Sequence, residues 1–331
     1  MADKIALTGI KPSGTPHVGN YLGMIRPALE LARSYQALYF IADYHALTTV
    51  RDRETMRFQT YEVAATWLAL GLDPDKVIFY RQSDIPEVLE LTWILSCFTS
   101  KGLLNRAHAY KAAVDENLAA GNPPDEGINT GLYFYPVLMA ADILMFGSHF
   151  VPVGADQRQH VEIARDIAIA FNNNYGDILT VPEAVIREEV MTIPGLDGRK
   201  MSKSYDNVIP IFTPAKDLRK SIMRIVTDSR RPEESKDPER DNVFAIYRYF
   251  AEQVDIDRTR QRYLAGGLAY SEIKSELFEL LESRFGEARS KFEAFMQDWG
   301  YLDQVLLSGA EKARRMAAPM MDKIRRAVGV D

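Results

Sequence analysis

Ile5-Ala6-Leu7-Thr8-Gly9-Ile10-Lys11-Pro12-Ser13-Gly14-Thr15-Pro16-His17-Val18-Gly19-Asn20 passes from an apolar run, Ile5 to Thr8, through a turn rich in glycine and proline into a helical pattern. A strand that leaves through such a turn into a helix reads as the first unit of a parallel α/β sheet. At the start of that helix, free amides and the helix dipole favour an anionic phosphate. The turn begins like a P-loop, yet Thr15-Pro16 stands where that motif needs Lys and then Ser or Thr, which argues against a P-loop NTPase. No Gly-x-Gly-x-x-Gly opens the helix either, which argues against a dinucleotide cofactor.

Outward from this stretch, Ala37 to Ala42, Val77 to Tyr80, Phe150 to Val153 and Val190 to Ile193 are further short runs rich in β-branched and aromatic residues. Longer stretches of helical periodicity separate them. The expected fold class is α/β: a doubly wound, Rossmann-like parallel sheet whose ligand lies above the carboxyl ends of the strands, followed by an all-helical domain. We expect a catalytic domain over residues 1–206 and a helical domain over 207–331. Ala120 to Gly127 and Thr227 to Pro238, polar and interrupted by prolines, read as exposed loops. Pro27 lacks an amide and should kink or restart the helix after the first turn.

A second signature, Lys200-Met201-Ser202-Lys203-Ser204, follows Gly195-Leu196-Asp197-Gly198, whose glycines give the loop freedom to close. When ATP is attacked at its α-phosphorus, charge accumulates on the departing pyrophosphate. Two ammonium groups over it, alongside Mg2+, would oppose that charge. His17 can donate to phosphate oxygens as that charge builds, and Gly19 leaves room for the adenine. Each motif alone has a bland reading, a capping histidine and a solvated basic loop. Together, in this order, they outline an ATP site.

The bulk properties are those of an ordinary globular chain: 331 residues, 47% hydrophobic, 26% charged, with no bias towards disorder. No stretch is long and apolar enough to span a membrane, and Met1-Ala2-Asp3-Lys4 leads into a strand rather than a signal sequence. The single Cys97, in Trp93-Ile94-Leu95-Ser96-Cys97-Phe98, is expected to be a packed core thiol, and a cytoplasmic setting follows. A net charge of -6 leaves any nucleic-acid contact to a local basic patch. Residues 311–331, with Lys312, Arg314, Arg315, Lys323, Arg325 and Arg326, are the candidate.

The paired signatures resemble those of class I aminoacyl-tRNA synthetases. Gly9 to Gly14, Gly19-Asn20-Tyr21, Met139-Ala140-Ala141-Asp142-Ile143-Leu144, Val151-Pro152-Val153-Gly154-Ala155-Asp156-Gln157, Lys200 to Ser204 and Gly309 to Arg315 resemble the tryptophanyl-tRNA synthetases, essentially end to end. The resemblance implies activation of tryptophan with ATP, transfer to tRNA(Trp), and a homodimer. It implies catalytic roles for His17, Asn20, Lys200, Ser202 and Lys203. The ATP site would comprise Lys11, Pro12, Ser13, Gly19, Asn20, Gly154, Ala155, Asp156, Val190, Met191, Lys200, Met201, Ser202, Lys203 and Ser204. Of these, Gly154, Ala155 and Asp156 would meet the ribose, and Val190 and Met191 the adenine. Leu7, Gly9, Met139, Val151 and Val153 would wall the indole ring, with His45, Tyr135 and Gln157 nearer the polar end. Asn20 stands where the wider class carries a second histidine, and Lys11 where some relatives carry glutamine beside the amino acid's carboxylate.

Asp142 is the most telling single residue. An unpaired carboxylate in the apolar helical stretch Met139 to Met145 would be costly, and an indole nitrogen is a donor that needs a buried acceptor. The resemblance places such an aspartate here. Rival readings are a tyrosyl-tRNA synthetase, a catalytically inactive RNA-binding paralogue, and a nucleotidyltransferase acting on a small molecule. Leu7 argues against the first, because the corresponding residue there is typically a tyrosine that bonds the substrate phenol. Intact His17, Gly19, Lys200 and Lys203 argue against the second. The helical half and its basic terminus argue against the third.

Overall fold

The computed structural model describes the chain except residues 1–4, 13, 149, 154–157 and 187–192; for 150–153 and 184–186 it describes the backbone alone. Among the described residues five strands form one parallel sheet in the order β3-β2-β1-β4-β5. They are β1 (Ile5–Ile10), β2 (Gln36–Ile41), β3 (Ile78–Arg81), β4 (Phe150–Val153) and β5 (Glu183–Ile186). The first four fall where the apolar runs place them. The fifth is Glu183–Ile186; of the expected Val190–Ile193 run, 190–192 lie outside the described residues and Ile193 is coil.

Helices α1 (Val18–Asn20) and α2 (Arg26–Leu31) flank a π-helical turn, Tyr21–Ile25, between β1 and β2. Pro27 stands in the first turn of α2, where its missing amide is tolerated, so the helix restarts as expected. Helices α3 (Asp43–Ala46) and α4 (Arg53–Ala69) join β2 to β3. Helices α5 (Glu87–Ser96), α6 (Lys101–Leu104), α7 (His108–Ala119) and α8 (Thr130–Leu144) join β3 to β4, and α9 (Arg158–Tyr175) joins β4 to β5. Beyond the sheet come α10 (Ala215–Met223), α11 (Asn242–Tyr247), α12 (Gln253–Ala265), α13 (Tyr270–Gln297) and α14 (Trp299–Val328).

Alternation along the strands sorts the core onto two faces. Ile10, Tyr39, Ile41 and Phe79 pack with α4, α10, α11 and α13, whereas Leu7, Leu38, Phe40 and Tyr80 pack with α5, α8 and α9. Helix α14 belongs to both: Leu302 and Leu306 join the first cluster, and Ala310, Ala313, Ala317, Met321 and Ile324 the second. It therefore crosses the β3 edge and covers it. The crossing is close enough that a Cβ at Gly309 would lie 1.8 Å from the Phe79 carbonyl oxygen.

Neighbours β1 and β4 mark the point where the chain's direction of travel across the sheet reverses, and there a parallel sheet opens a crevice at its carboxyl end. The segment after β1 carries Lys11 to Asn20, α3 after β2 carries His45, and the turn after β3 carries Gln82. Cys97 departs from expectation. It is exposed, with its Sγ donating to the Trp93 carbonyl at 3.6 Å, because its helix turns Leu89, Trp93 and Cys97 outwards at a four-residue spacing.

Candidate functional site

The first turn of the helix after β1 is built by His17 and Asn20. The Asn20 amide donates to His17 Nδ1 at 3.3 Å, and the His17 amide donates to Asn20 Oδ1 at 3.2 Å. An Nδ1 that accepts must be unprotonated, so the neutral ring carries its hydrogen on Nε2, free to donate elsewhere. Burial, helped by the nearby Lys203 ammonium, pushes the His17 pKa down to about 4. The ring is therefore a neutral donor across the physiological range.

The lysine loop lies directly against this turn. The Gly19 amide donates to Met201 Sδ at 3.2 Å, and a Cβ at Gly19 would lie 3.0 Å from the His17 ring. The Val18 amide donates to the Ile209 carbonyl, and the Ile211 amide to that of Pro16. A Cβ built at Gly14 would lie 3.6 Å from Lys203 Nζ, so that ammonium stands over the Gly14-Thr15 turn. Burial lowers the Lys203 pKa. The two sequence signatures are thus one structure.

Asn207, which sequence reasoning missed, shapes the loop. Fully buried, it accepts from the Ser202 amide at 2.8 Å and donates to Asp197 Oδ1 at 2.7 Å and the Lys200 carbonyl at 3.1 Å. Ser202 caps the turn by accepting from the Ser204 amide. Lys200 is exposed, and Met201 is buried. A Cβ at Gly195 would lie 2.4 Å from the Asn207 side chain, so this glycine serves close packing as well as freedom.

A second cluster forms where α8 passes the ends of β2 and β3. Spacing of four and then three residues puts Tyr135, Met139 and Asp142 on one face of α8. Asp142, 4% exposed, accepts from Gln82 Nε2 at 2.9 and 2.8 Å on its two oxygens, and from His45 Nε2 at 3.1 Å on Oδ2. Burial pushes its carboxyl pKa up, while His45 and Gln82 oppose that rise. Gln82 in turn accepts the His45 amide through Oε1. The Tyr135 hydroxyl bonds His160 of α9, and burial holds its pKa up at about 12.

Gln82 and His160 were also missed. Neither lies in a recognisable motif; the available signal is that Gln82 directly follows a β-strand, at the ligand-binding end of the sheet. Leu7 is buried, whereas Gly9 is exposed, and a Cβ there would lie 2.5 Å from Phe40 Cζ. Gly9 therefore presents bare backbone above an aromatic floor. Lys11 Nζ donates to Thr48 Oγ1, whose hydroxyl donates to the His45 carbonyl, so a short polar path links the two clusters. Burial lowers the Lys11 pKa. Pro12 is buried in the same turn.

Ser13, Gly154, Ala155, Asp156, Gln157, Val190 and Met191 lie outside the described residues, and Val151 and Val153 are described as β4 backbone alone. Among the described residues no group of three His, Cys, Asp or Glu stands together to hold a metal, and no helix is long and apolar enough to cross a membrane. Lys312, Arg314 and Arg325 of the basic C-terminal stretch are engaged within the chain, donating to the Pro74 carbonyl, Glu87 and Glu90. Arg315, Lys323 and Arg326 are exposed.

The family model for class I tRNA synthetases (W and Y) matches residues 2–286. A tryptophan–tRNA ligase of Pseudomonas aeruginosa is 55% identical over 329 residues, which is 98% of this chain and 73% of that protein. Its counterpart from Xanthomonas campestris is 50% identical over 328 residues, 98% of this chain and 76% of that protein. The crystal structure of tryptophanyl-tRNA synthetase from Campylobacter jejuni complexed with ADP and tryptophan superposes with a TM-score of 0.90 at 46% identity, covering 98% of this chain and 99% of that one. A tyrosyl-tRNA synthetase from Archaeoglobus fulgidus shares the fold alone, with a TM-score of 0.65 at 18% identity.

Proposed function

Because the chain belongs to the class I tRNA synthetases, and within them to the tryptophan–tRNA ligases, we propose that its two clusters divide the reaction between them. The activity is the ligation of tryptophan to tRNA with ATP as co-substrate. In our reading the Asp142 cluster selects the amino acid, and the turn joined to the lysine loop holds the triphosphate.

One observation carries the assignment: a buried carboxylate whose two oxygens are already oriented by Gln82 and His45. A carboxylate offers about four lone-pair positions, and these contacts leave room for one more donor. An indole N–H fills it. Leu7, with no hydroxyl, gives a phenol no bond from β1. Lys11, at the head of the nucleotide turn, is suited to the amino acid's carboxylate, which it would steer towards the α-phosphorus.

As that carboxylate attacks, the bond from the α-phosphorus to the bridging oxygen breaks and pyrophosphate leaves. His17 donates through Nε2–H to a phosphate oxygen without itself changing protonation, and Asn20 fixes the ring that does so. Lys200 and Lys203 oppose the growing charge, with Ser202 and Ser204 holding the loop's turn. A ribose hydroxyl at the tRNA terminus then attacks the activated carbonyl, and AMP departs. Mg2+ would enter as the counter-ion of ATP. The described residues offer no acidic cluster for it, and no step is assigned to a protein-held ion.

We also propose a homodimer, supported by the outward stripe of Leu89, Trp93 and Cys97, with Trp93 71% exposed. Contact with tRNA would draw on Arg315, Lys323 and Arg326. We infer a cytoplasmic setting from the tRNA substrate. We propose that the catalytic and helical parts meet at 206/207, where the helical pattern takes over. ATP–pyrophosphate exchange tests the assignment. It should depend on tryptophan and not on tyrosine, and Asp142→Ala should raise the KM for tryptophan about thirtyfold or more, as expected for a hydrogen bond to a charged group. Exchange driven by tyrosine, or an unaffected KM, would refute it.

A further inference from the structure

Glu62 is a buried acid on α4, beside the turn proposed to hold the triphosphate. It lies on α4 within Thr60 to Ala69, where every residue is buried, and is itself 5% exposed. A carboxylate in such a place needs a partner. Burial pushes its carboxyl pKa up, and the Thr15 side chain of the nucleotide turn and the charge of Lys203 oppose that rise. Lys203 is exposed as a residue, but its ammonium beside Gly14 is partly desolvated, which lowers its pKa, and the charge of Glu62 opposes that fall. One helical turn earlier on α4, Gln59 brings Nε2 to 3.8 Å from the same Gly14 position and leaves Oε1 buried without a partner. Helix α4 thus faces the turn with an acid and a side-chain amide.

We propose that Glu62 is a positioning residue that holds the Lys203 ammonium beside the Gly14-Thr15 turn and competes for it with the triphosphate of ATP. The inference rests on the reading of this turn and the lysine loop as the triphosphate site. ATP arrives at a site whose lysine is already in place but engaged. Part of the attraction between that lysine and the bound nucleotide is cancelled by the carboxylate behind it. As charge builds on the leaving pyrophosphate the balance moves towards phosphate, so the lysine's contribution is held back from the ground state and delivered in the transition state.

Calorimetric titration of ATP into the full chain tests this without requiring turnover. Four proteins are compared: wild type, Glu62→Gln, Lys203→Ala and the double variant. Glutamine keeps the shape and removes the charge. The expected result is a Kd for ATP about fivefold lower in Glu62→Gln, with the gain shrinking to less than about twofold when Lys203 is absent. In tryptophan-dependent exchange the KM for ATP should fall while kcat does not rise. An unchanged or higher Kd in Glu62→Gln overturns the proposal. So does an equal gain in both backgrounds, which would make Glu62 a plain repulsive charge. If Glu62→Gln fails to fold, Glu62→Asp, which draws the charge back by one methylene, must lower the Kd in the presence of Lys203, and an unchanged Kd overturns the proposal equally. A wild-type chain that binds no ATP would instead overturn the underlying site assignment.

Discussion

His17 has its pKa pushed down to about 4 by burial and by Lys203, against roughly 6.5 in an unfolded chain. Between those values the folded protein binds fewer protons than the unfolded one, so stability rises with pH across the window and is lost on acidification through it. The imidazole resonance followed by NMR should titrate near 4. The melting temperature of wild type should fall relative to His17→Gln between about pH 6.5 and 4, and the kcat profile should show no histidine limb between pH 6 and 8. A titration near 6.5 would contradict the bond that Asn20 donates to Nδ1. At this scale the sequence was informative wherever a residue broke its local pattern. Asp142 in an apolar helix and His17 beside a glycine did so. Gln82 and Glu62 did not: polar residues in mixed surroundings, they acquire meaning from partners distant in the chain, Asp142 and Thr15, and Asn207 from the fold of the loop around it. Cys97 misled because an apolar neighbourhood in sequence says nothing about which side of a helix meets the core.

Helix α14 offers the sharpest test at the scale of elements. Gly309 lets it cross β3 in contact with the strand's backbone, and a methyl group there would overlap the Phe79 carbonyl. Backbone on both sides leaves no flexible side chain to yield. Gly309→Ala should cost about 3 kcal/mol or more of unfolding free energy in urea titrations. Gly300→Ala, whose Cβ would meet its nearest heavy atom at an ordinary 3.4 Å, serves as the control. Strands β1 to β4 were legible because buried parallel strands are continuous apolar runs of β-branched and aromatic residues. β5 begins with Glu183, and its three apolar residues, Ala184 to Ile186, are matched in number by those of the Val190 to Ile193 run that competes with it. The crossing of α14 over the sheet edge was not legible, since helical periodicity gives a buried face but not what that face is buried against.

On the scale of the whole molecule, Leu89, Trp93 and Cys97 leave an apolar stripe facing outwards on α5. Trp93→Asp should shift sedimentation velocity from a dimer towards a monomer while leaving the circular dichroism spectrum unchanged; a wild-type monomer would exclude the proposed assembly. The two-part organisation was readable from the change in periodicity near position 210. What composition could not convey is that the helical part returns to finish the sheet. Residues 309–324 close over a strand that ended at Arg81. On the ribosome, therefore, β3 emerges long before its cover is translated, and its apolar surface must be shielded by transient contacts or by a chaperone until residues 309–324 follow.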